Sequence, residues 1–453
     1  MRTLAAHLND AGIVVSDGER ILYREPGFAL LEDGGLVTGI EAWRNASLKP
    51  RRVQNHFWSD LRVEPLRDPR FRHLTAADLV SHQLEHLWKR TASPGDELAI
   101  AVPGYMQSEN LGLLLGIADD LGIPVVAMVD AAVAATRRHY AHAVPVHVDL
   151  SLHSTLLTRL MQEGQAQYER GLVVEESGLL ELYGLWLRAI AETFVQQSRF
   201  DPLHTADTEQ ALQDRMPDWL ALAAQAATVP MEIEYRGITH RAEIESLALV
   251  SAAAPVYQAI VSNLRALYRA EDTPAIQLSH RAAQMPGLAD TLRARVGGEV
   301  FVLETGATAR GLARRIGERR KGGAVTLQRH LPWDQAGVEV QAGDNGAQGR
   351  PTHVLLGNRA FAVTGNALVL GSQPPDGERW IDLQQEVPGV SRRHCSIVAD
   401  NGQCVVNDHS RYGTFLNGHR IDGSAVLQSG DVIRIGTPGV DLRMIIVEAG
   451  DGA

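Results

Sequence analysis

From Leu368 to the end of the chain, short apolar runs of strand length alternate with turn residues, as in LVLGS (368 to 372), VSRRHCSI (390 to 397), VVNDHSRYGTFLNG (405 to 418) and LQSGDVIRIG (427 to 436). Regularly spaced short strands punctuated by Asn-Gly and Gly-Asp pairs are the pattern of an antiparallel β-sandwich. If Asn401-Gly402 is a two-residue hairpin turn, residue 395 faces 408 and 404 faces 399. Cys395 and Cys404 then stand apart, and as the only two cysteines they are expected to be core thiols, since a disulfide framework or a four-thiolate zinc site is excluded by number.

The preceding residues read differently. LAIAVPG (98 to 104) is a buried strand, SENLGLLLGIADDLG (108 to 122) an apolar-periodic helix, PVVAMVD a second strand and AAVAATRRHYA a second helix, an order that implies a parallel or mixed α/β sheet. Residues 177 to 228 form a helical block, with Leu179, Leu182, Leu185, Trp186, Ile190 and Phe194 at helical spacing and with Asp207 and Gln210 read as the cap of its next helix. Between the two regions lies QAGVEVQAGDNGAQGRP (335 to 351), rich in Gly, Gln and Asp, which reads as a flexible linker. The expected organisation is an α/β domain over 1–334, a linker over 335–351 and an all-β domain over 352–449. A chain of 453 residues exceeds what one core accommodates, and 45% hydrophobic with 21% charged residues is the composition of a globular protein. A formal charge of −11 argues against nucleic acid or anionic membrane as a partner. No apolar run resembles a signal peptide at the start, and none approaches the length of a membrane span, so the chain is expected to be cytoplasmic.

The C-terminal motifs, in their order and spacing, resemble the forkhead-associated (FHA) family, small β-sandwiches that bind phosphothreonine peptides. The resemblance implies that Ser391 and Arg392 lie in the phosphate loop, Ser391 as a phosphate-contacting hydroxyl and His394 as a brace. It implies that Arg411 and Tyr412 contact phosphate or peptide before the structural pair Gly413-Thr414, and that the Asn417 amide holds the peptide backbone. Hydroxyls and guanidiniums are suited to this because they give charge-assisted hydrogen bonds to phosphate oxygens. The family's Gly-Arg pair reads Gly371-Ser372 here, so one guanidinium is missing. Arg392, Arg393 or Arg411 are the candidates to replace it.

The first 330 residues resemble the actin, sugar-kinase and heat-shock-chaperone ATPases, most clearly over AIAVPGYMQSENLGLLLGIADDLGIPVVAMVDAAVAA (100 to 135). VHVDLSLHSTLL (146 to 157) stands at the second phosphate strand of that superfamily, AIQLSHRAAQMPGLADTLRARVG (275 to 297) at its adenosine segment and ATARGLARRIG (307 to 317) at its closing helix. Active members approach phosphates with glycine-rich turns, where a Cβ would block the backbone amides. This chain keeps Asp10-Ala11-Gly12 but continues with Ile13, Val14 and Val15, reads Asp149-Leu150-Ser151-Leu152-His153-Ser154 at the second loop, and has Ser279-His280 at the adenosine position. All three loops are altered, which implies a degenerate ATPase without a cofactor. Asp10, Gly12, Asp149 and Ser279 are the residues that would serve Mg-ATP in the rival reading of an active ATPase. A third reading is a structural subunit that associates with itself and uses the FHA face without phosphate.

Three further groups carry no assignment. His82-Gln83-Leu84-Glu85-His86 matches the inverted zincin pattern, but a helix opened by Thr75 with Ala76, Leu79, Val80, Leu84 and Leu87 as its apolar stripe leaves His82, Glu85 and His86 on the solvated face, without a third ligand. The basic run Arg314, Arg315, Arg319, Arg320 and Lys321 reads as solvated charge complementing a helix C-terminus. His204, near Asp207 and Glu209, is read with them as polar residues that cap a helix start and face solvent.

Overall fold

The computed structural model of the chain describes residues 2–32, 35–316, 325–334, 351–356, 359–373, 379–381, 389–400, 403–417, 419–428, 431–436 and 440–445. The chain divides into two compact units, Met1–Glu339 and Val340–Ala453. Residues 335–350 of the expected linker, the Asn401-Gly402 turn and Arg319, Arg320 and Lys321 lie outside the described residues.

The first unit contains two mixed sheets with the same plan. Strands β1 (Thr3–His7), β2 (Ile13–Ser16) and β3 (Ile21–Glu25) form an antiparallel meander, and β4 (Glu97–Val102) and β5 (Val125–Asp130) add parallel to β1, giving the order β3-β2-β1-β4-β5. The second sheet repeats this with β6 (Val144–Leu150), β7 (Ser154–Met161) and β8 (Ala166–Glu175) as the meander and β9 (Pro274–Leu278) and β10 (Glu299–Val302) parallel to β6, in the order β8-β7-β6-β9-β10. Leu327–Gln328 extends the first sheet beside β5, and His330–Leu331 extends the second beside β8. The central strands read as continuous apolar runs because both faces are covered, with Leu98, Ala99, Ile100 and Ala101 fully buried.

Helices fill equivalent places in the two halves. α1 (Ala76–Thr91) precedes β4, α2 (Ser108–Asp120) joins β4 to β5, and α3 (Ala131–Ala135) follows β5. In the second half α4 (Leu179–Ser198), α5 (Ala206–Ala223) and α6 (Ser246–Arg265) precede β9, α7 (His280–Ala283) and α8 (Leu288–Val296) join β9 to β10, and α9 (Ala307–Arg315) follows β10. α9 crosses to the first sheet, packing on β1 and β4 and against α3. A hairpin of Thr228–Tyr235 and Ile238–Glu245 buries alternate residues, Val229, Met231 and Ile233, against the α4–α6 cluster.

Several expectations need correction here. α5 is capped by Thr205, whose side chain accepts from the Thr208 N–H, and Asp207 sits inside its first turn. Gln210 is buried, where its side-chain oxygen accepts the Ser47 N–H at 2.9 Å. The helix expected over AAVAATRRHYA ends at Ala135, where Thr136 turns extended and its hydroxyl donates to Ala132 O at 2.8 Å. α6, with a mean hydropathy of 1.4, is long and apolar enough to cross a membrane, contrary to the expectation that no stretch approaches that length. Its buried stripe of Leu249, Ala253, Val256, Tyr257, Ile260 and Leu264 packs into the core of the second half. Arg315 is buried rather than solvated: it donates to the carbonyls of Val133, Ala134 and Thr136 at the end of α3.

α1 follows its sequence pattern, with a capping box between Thr75 and Asp78 and with Leu79, Val80, Leu84 and Leu87 buried. His82 and His86 are half-buried, His86 lying edge-on to Tyr23 at 6.4 Å, and Glu85 pairs with Lys89 at 2.6 Å. Among the described residues, no cluster of His, Cys, Asp and Glu has the arrangement of a metal site.

The second unit is a sandwich of β11 (His353–Leu356), β12 (Arg359–Ala362), β13 (Leu368–Leu370), β14 (Arg379–Ile381), β15 (Cys395–Asp400), β16 (Gln403–Asp408), β17 (Phe415–Leu416), β18 (His419–Arg420), β19 (Ser424–Leu427), β20 (Val432–Ile435) and β21 (Val440–Ile445). One sheet runs β12-β11-β21-β20-β17-β18 and the other β14-β13-β15-β16-β19. Cys395 faces Asp408 and Ala399 faces Cys404, the register expected from the hairpin reading. Neither cysteine is in a disulfide and both are buried, and burial pushes Cys395 up to about 12. The core between the sheets includes Val354, Leu370, Ile397, Val406, Ile433 and Leu442.

Candidate functional site

Two loops meet at one end of the sandwich through His394. Residues 391–394 lead into β15, and residues 409–414 connect β16 to β17. His394 is fully buried and accepts the Ser391 N–H at Nδ1, 3.2 Å away. With Nδ1 accepting, Nε2 carries the proton and donates to Gly413 O at 3.2 Å. Burial lowers the pKa of this imidazole, consistent with the neutral form that such a bridge requires. The second tie is at Ser391 itself, whose hydroxyl oxygen accepts the Arg411 N–H at 3.1 Å. Among the described residues the Ser391 O–H donates to no partner, which leaves it for an outside acceptor.

The loops are held from below as well. Gly371 lies under residues 391–393, with Ser372 N–H donating to Ser391 O at 3.1 Å and His394 N–H to Leu370 O at 2.7 Å. A Cβ at Gly371 would collide with Arg392 O, so only glycine permits this approach. Asp408 organises the other loop: its Oδ1 accepts from Ser410 N–H at 2.9 Å and from the Thr414 hydroxyl at 2.8 Å. Burial works against its ionised form, but these bonds outweigh burial and hold it below the usual carboxylate range. Gly413 has φ 97, which favours glycine.

On this frame Arg392 and Arg411 are exposed, and Tyr412 is 64% exposed with the Arg411 guanidinium 5.8 Å from its ring centroid. Ser372, at the place of the family's arginine, is exposed beside Ser391. Arg420, which sequence reasoning did not single out, lies against Gly413, where a Cβ would meet its Nε. Its pairing opposite Phe415 is what brings it there.

Asn417 is exposed and also makes contacts within its own domain. Its Oδ1 accepts the Val432 N–H at 2.9 Å, and its Nδ2 donates to Asp431 Oδ1 at 2.8 Å. The amide thus ties β17 to the start of β20, while the exposed side chain keeps a second Nδ2 hydrogen and a second Oδ1 lone pair.

Residues 368–436 match the FHA domain. FHA domains bind phosphorylated proteins, usually at phosphothreonine. Strands β11, β12 and β21 lie outside the matched stretch yet complete one sheet of the FHA sandwich. No curated protein was found that matches the chain.

In the first unit, the remaining candidate residues gather where the β1–β2 turn meets the β6–β7 turn. Asn9 Nδ2 donates to Asp149 Oδ2 at 2.7 Å and to Leu150 O at 2.9 Å, and Leu152 N–H donates to Asp10 Oδ1 at 2.8 Å. Asn9 was missed in the sequence because an Asn beside an Asp at a strand end reads as an ordinary turn. Ser279 caps α7 by accepting the Ala282 N–H at 3.3 Å. Arg281 donates to Leu150 O at 3.1 Å and to Gly12 O at 3.3 Å.

The space at this junction is small. The cavity lined by His7, Gly12, Asp149, Ser279, Arg281 and Thr308 measures about 50 Å³, room for a few waters. Ligand pockets run to about 300–1,000 Å³. A Cβ at Gly12 would strike the Arg281 guanidinium, so the space a phosphate would need beside this turn is already filled by side chain.

Electrostatics at the junction are shaped by burial. Burial raises Asp10 from 3.8 to about 6, against the Leu152 N–H and the Arg281 charge, and it lowers His7 to about 4 despite Asp149. Asp10 Oδ2 has no hydrogen-bond partner among the described residues. A carboxyl whose folded pKa lies above its unfolded one contributes stability that is complete below about pH 3.8 and is lost as the pH rises through 6. Asp10→Asn keeps an acceptor for Leu152 and removes the charge. Its stability relative to wild type is expected to be unchanged near pH 4 and to improve towards pH 7 by up to about 3 kcal/mol. Urea unfolding across that range checks this; a gap independent of pH would contradict it.

Proposed function

We propose that this chain is a non-catalytic adaptor that docks on phosphothreonine-bearing proteins through its FHA domain, while the first unit serves as a rigid assembly module of the actin and chaperone ATPase type without ATP turnover. The observation that carries the binding half is the junction of the two loops at His394, which fixes Ser391 and the Arg411 backbone in one place with Arg392 and Arg411 exposed around them. A hydroxyl donor held in place suits a phosphate because it needs no reordering on binding, and the exposed guanidiniums of the same loops can add charge-assisted bonds. The guanidinium absent at Ser372 is worth roughly 1.5–3 kcal/mol, and the exposed Arg392 and Arg411, with Arg420 beside Gly413, are the candidates to make up for it.

The assembly half is supported by the repeated sheet plan, an antiparallel meander followed by two parallel strands with the final helix crossing to the other sheet. That plan agrees with the resemblance to the actin and chaperone superfamily. The filled junction at Asp10 and Asp149 favours the non-catalytic form of it over an active ATPase.

The test is titration of the full-length protein with a degenerate phosphothreonine peptide library and with the same library after phosphatase treatment. Binding confined to the phosphorylated pool is the expected result. Equal retention of both pools would instead make the FHA face a phosphate-independent contact.

A further inference from the structure

We propose that Arg281 is a built-in counter-ion that occupies the junction between the β1–β2 and β6–β7 turns and holds the two halves of the first unit closed. This rests on the reading of that unit as non-catalytic and specifies how its cleft is kept shut.

Arg281 follows β9 by three residues, on a helix too short to present a site of its own. Its guanidinium reaches carbonyls on both turns, Gly12 O from the first half and Leu150 O from the second. A planar group with five donors can bond two divergent carbonyls at once, which a lysine ammonium does less well. The two turns also bond each other directly through Asn9 and Asp10, so Arg281 closes a contact that is already continuous.

Charge supplies the second argument. Asp10 and Asp149 are 0% and 3% exposed and belong to opposite halves. Two carboxylates brought together away from water need a countercharge. His7, 3.6 Å from Asp149, is neutral at ordinary pH because it is buried. Arg281 is attracted by Asp149 and, more weakly, by Asp10, while burial pushes its own pKa down. Arg281 therefore brings a positive charge to the junction that holds both carboxylates, without a direct ion pair to either, and the repulsion of Arg24, which lines the same cavity, works against it. The consequence is a clamp whose closure does not depend on nucleotide or metal, and the unit presents one fixed surface to whatever it assembles with.

The experiment uses the full-length chain. Arg281→Ala is expected to lower the Tm by roughly 10 °C and, because it leaves a guanidinium-shaped void, to regain part of that loss with guanidinium chloride at tens of millimolar, a concentration that only lowers the wild-type Tm. An unchanged Tm, or a Tm that guanidinium lowers in both proteins, overturns the proposal. Should Arg281→Ala fail to fold, Arg281→Met keeps the bulk and removes the charge, and adding Asp149→Asn should then recover stability at neutral pH. Simple additivity of those two losses also overturns it. Titration of wild type with Mg-ATP separates this from the reading it rests on: micromolar binding together with guanidinium rescue would end the non-catalytic reading and leave the role of Arg281 standing.

Discussion

Replacing Ser391 and Arg392 together by alanine is expected to abolish phosphothreonine-peptide binding while leaving the sandwich folded. Both side chains lie on the loop that precedes β15, outside the core that includes Leu370, Ile397, Val406 and Ile433. Each removes one hydrogen bond to a charged ligand, worth about 1.5–3 kcal/mol, so the pair should weaken binding at least a hundredfold. Loss of the Ser391 hydroxyl also leaves the Arg411 N–H without its present acceptor, which should loosen the second loop. The comparison that decides the assignment is isothermal titration of wild type and the double variant with one phosphothreonine peptide, beside thermal melts of both. Unchanged affinity in a folded variant would remove Ser391 and Arg392 from the site. Affinity lost together with the fold would be uninformative, and Arg392→Ala alone, at an exposed position, then carries the test.

This site was legible to the extent that its information is local. Ser391 and His394 are three residues apart, Gly413 follows Arg411 closely, and the register of β15 against β16 follows from a single turn. The bonds of Asn417 to Asp431 and Val432 were not legible, because those partners lie fourteen and fifteen positions further on, at the start of the next long strand. Arg420 escaped for the same reason: only the pairing of β18 with β17 brings it over Gly413.

In the first unit, individual elements were legible and their assembly was not. The apolar stripe and cap of α1, the buried β4 and the helical block all follow from periodicity. The repeated sheet plan left no repeat in the sequence, because a meander with two added strands can be built from many apolar runs, and the two halves carry different insertions between equivalent strands. The composition of the loops was legible in the sequence, but what lies against them was not. Arg281 and Gly12 are 269 positions apart, and nothing local to either indicates their meeting.

Arg315→Met is expected to destabilise the first unit by about 3–5 kcal/mol, because Arg315 is where a solvated reading was most misleading. Arginine in the last turn of a helix usually complements that helix's own dipole. Here the side chain is 6% exposed and turns to the end of a different helix, donating from Nη1 to Thr136 O at 2.8 Å and from Nη2 to Val133 O at 3.2 Å and Ala134 O. α3 has only five residues, so these are most of the carbonyls its end leaves unbonded. Methionine fills the volume and supplies no donor, leaving those carbonyls buried and unsatisfied. Neighbouring Arg137 cannot substitute, since it is held by Asp334 at 2.8 Å and by Glu304. The expected loss corresponds to a fall in Tm of roughly 6–15 °C by calorimetry, with Arg315→Lys intermediate because one ammonium can still reach part of the carbonyl set. A full-stability Met variant would mean that water replaces the guanidinium at the end of α3, and that the crossing of α3 and α9 is held by apolar packing of residues such as Leu312 and Val133 alone.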